Sequence, residues 1–270
     1  MESNLSHIIN RLLLLFRFRH RLAEFVLTDV RQRYGGSILG VAWVVVFPIL
    51  QLSIYACLYA LIFRVRPPNL STEGYVVLVF SGMVPLLAFS EALSASASTM
   101  VSNRALLLNT VFPAELIPLR AVLAAQLSGI AALVLTLGAG FIFGDADWKA
   151  FVFVPFLWLA LVMFVGGLGW YLSLLSLVVR DIQHVLGLIV MLMFVLSPFA
   201  YTPEMVPSAL KFILYLNPMS YFVFSFQSLI CYGEFPEVWH LIVILALALV
   251  SFMSGFIFFQ RTKRVFFDYA

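Results

Sequence analysis

Three groups of residues in this 270-residue sequence have types and spacings that could do chemistry. Arg31, Arg33 and Tyr34 stand directly before Gly35-Gly36. Guanidinium forks match phosphate oxygens in pairs, and backbone amides around a glycine pair can form an anion-binding nest. This group would hold the anionic head of a lipid at a membrane surface; plain anchoring to lipid head groups is the competing reading. The second group is Trp43, Phe47, Gln51, Tyr55, Tyr59 and Phe63, one at every fourth position. Residues four apart stack on successive helical turns, giving a ladder of weak, similar apolar and exchangeable hydrogen-bonding contacts along the segment. Packing between helices or subunits would use the same face. The third is Glu91, the one ionisable residue well inside an apolar segment. An intramembrane carboxylate is a functional candidate, although a single one makes no proton relay and a hydrogen bond to a neighbouring helix would equally account for it.

Other chemistries lack their residues. There is no Walker A loop, no H-E-x-x-H and no Cys/His grouping for a metal, so neither catalysis nor a cofactor is expected in this chain. His7, His20, His184 and His240 are scattered. "LSGI" at Leu127–Ile130 echoes an ATPase signature but lies inside an apolar segment that no nucleotide reaches. Cys57 and Cys231 both fall in apolar stretches and read as buried free thiols. No nucleic-acid partner is expected.

The elements that must position these groups follow from composition. The chain is 63% hydrophobic and 11% charged, against about 25% charged in soluble domains. Several stretches exceed the roughly 20 apolar residues that cross a bilayer as a helix. The reading is an all-α membrane protein with six spans, at about 37–63, 75–100, 121–143, 150–179, 185–201 and 241–259. Arg11, Arg17, Arg19, Arg21, Arg31, Arg33, Arg104, Arg120, Arg180, Arg261, Lys263 and Arg264 fall on one side of these spans, and Arg64, Arg66, Lys149 and Lys211 on the other. That asymmetry puts both termini in the cytoplasm. A seventh span over Pro207–Tyr232 is interrupted by Pro207 and Pro218, so this region reads as two short re-entrant helices in the outer leaflet. No cleavable signal peptide is visible, because Leu12–Phe16 is short and is followed by Arg17, Arg19 and Arg21.

Residues 1–36 read as an interface helix and access loop, 37–261 as the transmembrane domain and 262–270 as a cytoplasmic tail. Leu5, Ile8, Ile9, Leu12, Leu15 and Phe16 share a helical face that Val26, Leu27 and Val30 rejoin. Arg19 breaks this stripe, so the helix either kinks there or Arg19 snorkels. Gly35-Gly36 permits a sharp turn into the first span, in which Pro48 could curve the ladder.

"DVRQRYGGSILGVAW" resembles the start of the first span in ABC-2 type permeases that export polysaccharides, O-antigen permeases above all. "SNRALLLNTVFPAELIPLR", "VRDIQHVLGL", "SPFAYTPEMVP", "LNPMSYFVFSFQ" and "FFQRTKRVFFDYA" resemble further family segments, in the family's order. The resemblance implies a homodimer in a bacterial inner membrane, seated on a separate ATPase that binds ATP and Mg. Its substrate would be a lipid-linked glycan such as O-antigen on undecaprenyl diphosphate. It assigns ATPase coupling to a short helix near Asn103–Asn109, with Asn103, Leu106, Thr110, Phe112, Pro113 and Glu115, and to Arg180 and Asp181 at the next turn. A periplasmic gate would include Pro198, Tyr201, Pro207, Asn217, Pro218 and Tyr221. Where basic residues are usual around the family's F-P-R-E element, this chain has Phe112-Pro113-Ala114-Glu115. The same fold exports small lipids, drugs, capsule and teichoic acid; an enzyme of polyprenyl-linked sugars would need more ionisable groups at one depth than Glu91 alone.

Overall fold

Capping residues set the ends of the long helices. Ser71 Oγ accepts from the Gly74 amide at 3.0 Å, and Asp147 Oδ1 from the Lys149 amide at 2.8 Å, each satisfying a donor that the first turn leaves open. The computed structural model describes residues 18–58, 70–103, 113–179 and 181–267, the side chains of residue 204 and of 264–267 apart. Its α-helices are α1 Arg19–Arg33, α2 Trp43–Cys57, α3 Thr72–Ser102, α4 Leu116–Phe143, α5 Trp148–Val178, α6 Ile182–Leu196, α7 Lys211–Leu216, α8 Pro218–Ile230 and α9 Val238–Phe267. No strand occurs among the described residues.

Five of these helical segments are long and apolar enough to cross a membrane, and a sixth if α7 and α8 count together across their 94° bend. α3 is the central column: Tyr75, Met83, Phe89, Ala92 and Met100 are almost wholly buried, and α4, α5 and α8 pack around it. The core is aromatic at this junction, where Phe89 and Phe222 both stack on Phe164. α2 and α6 are packed far more lightly. Only Pro48 and Leu52 of α2 and Leu186 of α6 are buried. Cys57 is therefore exposed rather than buried, unlike Cys231.

Two helix boundaries and one helical face differ from expectation. α6 stops at Leu196 rather than Tyr201, because Ser197 precedes Pro198 and takes an extended conformation (ψ 137°). At 15 residues it rises roughly 22 Å at about 1.5 Å per residue. α9 runs on to Phe267, so part of the expected tail is helical. In α1, Leu22, Val26 and Val30 are buried while Leu27 faces outward, the fourfold spacing of one helical face excluding it. The expected face over Leu5–Phe16, and Tyr59 and Phe63, lie outside the described residues.

α5 and α9 approach each other closely, backbone against backbone. A Cβ on Gly167 would sit 2.2 Å from the Ser251 carbonyl carbon, and one on Gly255 2.2 Å from the Gly167 oxygen. Ser251 Oγ donates to the Phe164 carbonyl at 2.8 Å across the same crossing. Small residues of this kind let apolar helices associate by close packing. Gly167→Val should therefore cost about 1–3 kcal/mol by overpacking, seen as a lower melting temperature of the purified protein. Gly138→Ala, where a Cβ meets nothing within 4 Å, is expected to melt like the parent.

Candidate functional site

The site begins with the seating of α1. Its buried face, Val26 and Val30 included, packs on Ala124, with Val44, Leu123 and Leu127 at the edge. Arg120 of α4 pins it there: Nε lies 2.7 Å from Asp29 Oδ2, and the guanidinium sits 5.7 Å from the Phe25 ring centroid. Arg120 Nη2 also donates to Asn103 Oδ1 at 3.3 Å, so one side chain joins α1, α4 and the end of α3. Burial pushes the Asp29 carboxyl up, against the pull of Arg120. This role for Arg120 is not legible from its place in the chain, since its partner Asp29 lies on a helix far off in sequence.

Past α1 the chain turns at Gly36, whose φ of +80° is a left-handed conformation suited to glycine. The Gly35 amide donates to the Gln32 carbonyl at 3.2 Å and so helps to close α1. Arg31 and Arg33 fall in the last turn of α1, where cations complement the helix dipole.

A cavity of about 660 Å³ opens between this turn, α2 and α3. Arg33, Tyr34, Gly35 and Ser37 form one wall and Trp43, Phe47 and Gln51 a second. Leu87, Ser90, Glu91 and Ser94 of α3 form the third, with Ser128 of α4 at its edge. Arg33 Nη1 donates to Glu91 Oε1 across it. Two groups that the sequence kept separate, head-group residues and ladder residues, thus share one chamber with Glu91. Arg31 and Gly36 do not line it. The chamber continues into a recess of about 30 Å³ bounded by Pro48, Leu52, Val84 and Ala132. Tyr55 lies beyond, packed against the core. Ser90, Ser94 and Ser128 were missed in sequence, although Ser90, Glu91 and Ser94 have the spacing of one helical face.

The residues assigned to coupling take varied positions. Asn103 Nδ2 donates to the Thr99 carbonyl at 2.8 Å, closing α3. The Pro113 carbonyl accepts the Leu116 amide at 3.0 Å, and Asp181 begins α6. Leu106, Thr110, Phe112 and Arg180 lie outside the described residues. Glu115 turns inward and is only 3% exposed. Its Oε1 accepts from Gln260 Nε2 at 2.6 Å and Lys263 Nζ at 3.0 Å, and its carbonyl accepts Trp170 Nε1 at 2.9 Å. These bonds tie the start of α4 to α5 and α9.

The residues assigned to a gate gather around the bend between α7 and α8. Asn217 Nδ2 donates to Ser197 Oγ at 2.8 Å, and Oδ1 accepts the Met219 amide at 3.0 Å, with Pro218 opening α8. Tyr201 and Tyr221 each donate at 2.9 Å, to the Leu196 and Tyr215 carbonyls. Gln227 Nε2 donates to the Pro198 carbonyl at 3.1 Å, and Pro207 precedes the short turn Ser208–Leu210. A separate cavity of about 540 Å³ nearby, lined by Thr202, Lys211, Tyr215 and His240, includes none of the six.

A family model described as "ABC-2 type transporter" matches residues 25–231. The chain is 29% identical over 206 residues to an O-antigen export system permease protein RfbA of Klebsiella pneumoniae, covering 76% of this chain and 78% of that protein. It is 26% identical over 254 residues to the protein of the same name from Myxococcus xanthus, covering 93% and 96%.

Glu115 supports a prediction in acid. Burial pushes its carboxyl up, but its own amide, Gln260 and Lys263 together outweigh that and hold it below the usual carboxylate range. A depressed folded value contributes stability above the unfolded value of about 4.5, and that stability is lost as pH falls through the folded value. Melting temperature should fall below pH 5 in the parent, and Glu115→Gln should be less stable at pH 7 with a flatter acid limb.

Proposed function

The chain belongs to the ABC-2 type transporter family, and from that premise we propose that it is the membrane subunit of an ATP-driven exporter of a lipid-linked polysaccharide. Undecaprenyl-diphosphate-linked O-antigen is the proposed substrate, in keeping with the names of the two relatives. The observation that carries the reading is the chamber in which Arg33 and Tyr34 face Trp43, Phe47 and Gln51. A cation and a phenol suited to phosphate oxygens sit beside aromatic faces and an amide suited to sugar rings. A lipid-linked glycan has those two chemistries joined end to end.

In this reading the charged end of the bundle faces the cytoplasm, α1 lies in the interface, and both termini are cytoplasmic in a bacterial inner membrane. The diphosphate meets Arg33, and the first sugars pass along Phe47 and Gln51. The α7–α8 pair dips into the outer leaflet and returns, which its 94° bend supports. Two subunits form the channel: the recess beyond Gln51 is small in one subunit, and the lightly packed α2 and α6 offer apolar faces such as Ile54, Leu188 and Met191. The ATPase is a separate chain that binds ATP and Mg. It docks on the segment from Asn103 to Pro113 and on the turn at Arg180-Asp181. Arg120 links that segment to α1 through Asn103 and Asp29, a direct physical route from the motor to the chamber.

Arg33→Ala should slow glycan export about tenfold, the scale of one lost charge-assisted hydrogen bond, with insertion and ATPase pairing retained. Arg31→Ala should have a smaller effect, because Arg31 does not line the chamber. Appearance of polymer at the cell surface measures both. Normal export by an inserted Arg33→Ala protein would defeat the reading.

A further inference from the structure

We infer that Glu91 is a release element: it competes with a bound head group for Arg33 and so keeps the chamber's hold on any phosphate weak. This rests on reading the chamber as the access site for a lipid-linked glycan. Among the described lining residues the charged ones are Arg33 and Glu91, and they are bonded to each other across the cavity.

This pair differs in its setting from the two other ion pairs at the same end. Arg120 with Asp29 and Lys263 with Glu115 are mostly buried, and none of these four residues lines the chamber. Their work is to hold helices together. Arg33 and Glu91 are 39% and 36% exposed, so a ligand in the cavity can reach both. Nor does the seating of α1 depend on them, because Val26 and Val30 pack it against α4 and Arg120 pins it there. Asp29, four residues before Arg33 on the same helix, is engaged by Arg120. Glu91 is thus the carboxylate placed to contend with a ligand for the Arg33 guanidinium.

Elementary electrostatics sets the sign of its effect. A phosphate that takes the guanidinium must first open the Arg33–Glu91 bond. It then stands beside a carboxylate that has lost its partner, and the two like charges repel. Both effects lower affinity, and the repulsion grows with the charge of the head group. A lone arginine, whose fork matches phosphate oxygens in pairs, would hold the same head group longer. A transported ligand must bind well enough to enter and weakly enough to leave. A carboxylate positioned to retake Arg33 favours leaving.

The test measures dissociation from the purified full-length chain in phosphatidylcholine nanodiscs. Labelled undecaprenyl diphosphate, undecaprenyl monophosphate and the uncharged alcohol undecaprenol are the probes, each chased with its unlabelled form. Binding of the diphosphate to the parent is expected to depend on Arg33 and to be lost in Arg33→Ala. Glu91→Gln keeps the size and removes the charge. It should release the diphosphate about 5-fold more slowly, close to 1 kcal/mol, the upper scale of a partly exposed ion pair. The monophosphate should be slowed less, and undecaprenol not at all. Glu91→Ala should shift release in the same direction and carries the test if Glu91→Gln assembles poorly. Arg33-dependent diphosphate binding that both variants release as fast as the parent overturns the inference and leaves the access reading standing. Equal slowing of undecaprenol marks a steric effect and does the same. A parent with no Arg33-dependent binding of either phosphate overturns both.

Discussion

Arg120 in the second turn of α4 is the interaction on which the arrangement of this end of the molecule depends. It is 9% exposed, and a guanidinium in that position must be paired, because it cannot shed its charge and leaving it bare is costly. Asp29 supplies the counter-charge, and that requirement lays α1 across α4 rather than leaving it loose on the surface. Once α1 is seated, its last turn brings Arg33 against Glu91 of α3, and the glycine turn delivers the chain to α2. The chamber is the space these constraints enclose. Two more pairings gather at the same end, Arg33 with Glu91 and Lys263 with Glu115. The opposite end has amide and hydroxyl bonds from Asn217, Gln227, Tyr201 and Tyr221, beside a pairing of Lys149 with Asp147.

The division has a functional consequence. A charge pair can exchange partners with an ionic ligand, which neutral amide and hydroxyl bonds to backbone carbonyls do not offer. In the proposed function the charged end is the one suited to admitting an anionic head group, and there Arg120 joins the end of α3 to α1. The aromatic core where Phe89 and Phe222 stack on Phe164, together with the glycine crossing of α5 and α9, packs the body of the bundle closely.

Much of this could be read from the chain before any coordinates. Apolar runs this long leave little freedom, so the long helices lie close to where hydropathy puts them, and the spacing of Trp43, Phe47 and Gln51 marks a face that does line a chamber. What escaped were the pairings. Asp29 with Arg120 and Arg33 with Glu91 join residues far apart in sequence, and a lone arginine beside a span carries no mark of its partner. The family resemblance assigns Glu115 to ATPase coupling, and its inward turn is not legible because Gln260 and Lys263, to which it is bonded, lie 145 and 148 residues further on. Tyr55 follows the fourfold spacing yet turns to the core, since a ladder of period four winds slowly around a helix of about 3.6 residues per turn.

The central claim is that the chamber between α1, α2 and α3 admits the head of a lipid-linked glycan. Photocrosslinking tests it most directly, using an undecaprenyl diphosphate analogue with a diazirine beside the diphosphate and peptide mapping of the intact protein. The account predicts labelling of Gln51, Ser94 or Ser128, suppressed by unlabelled diphosphate and by Arg33→Ala. Labelling confined to outward faces of α5 and α9, such as Leu159 and Leu245, and indifferent to competitor would contradict it.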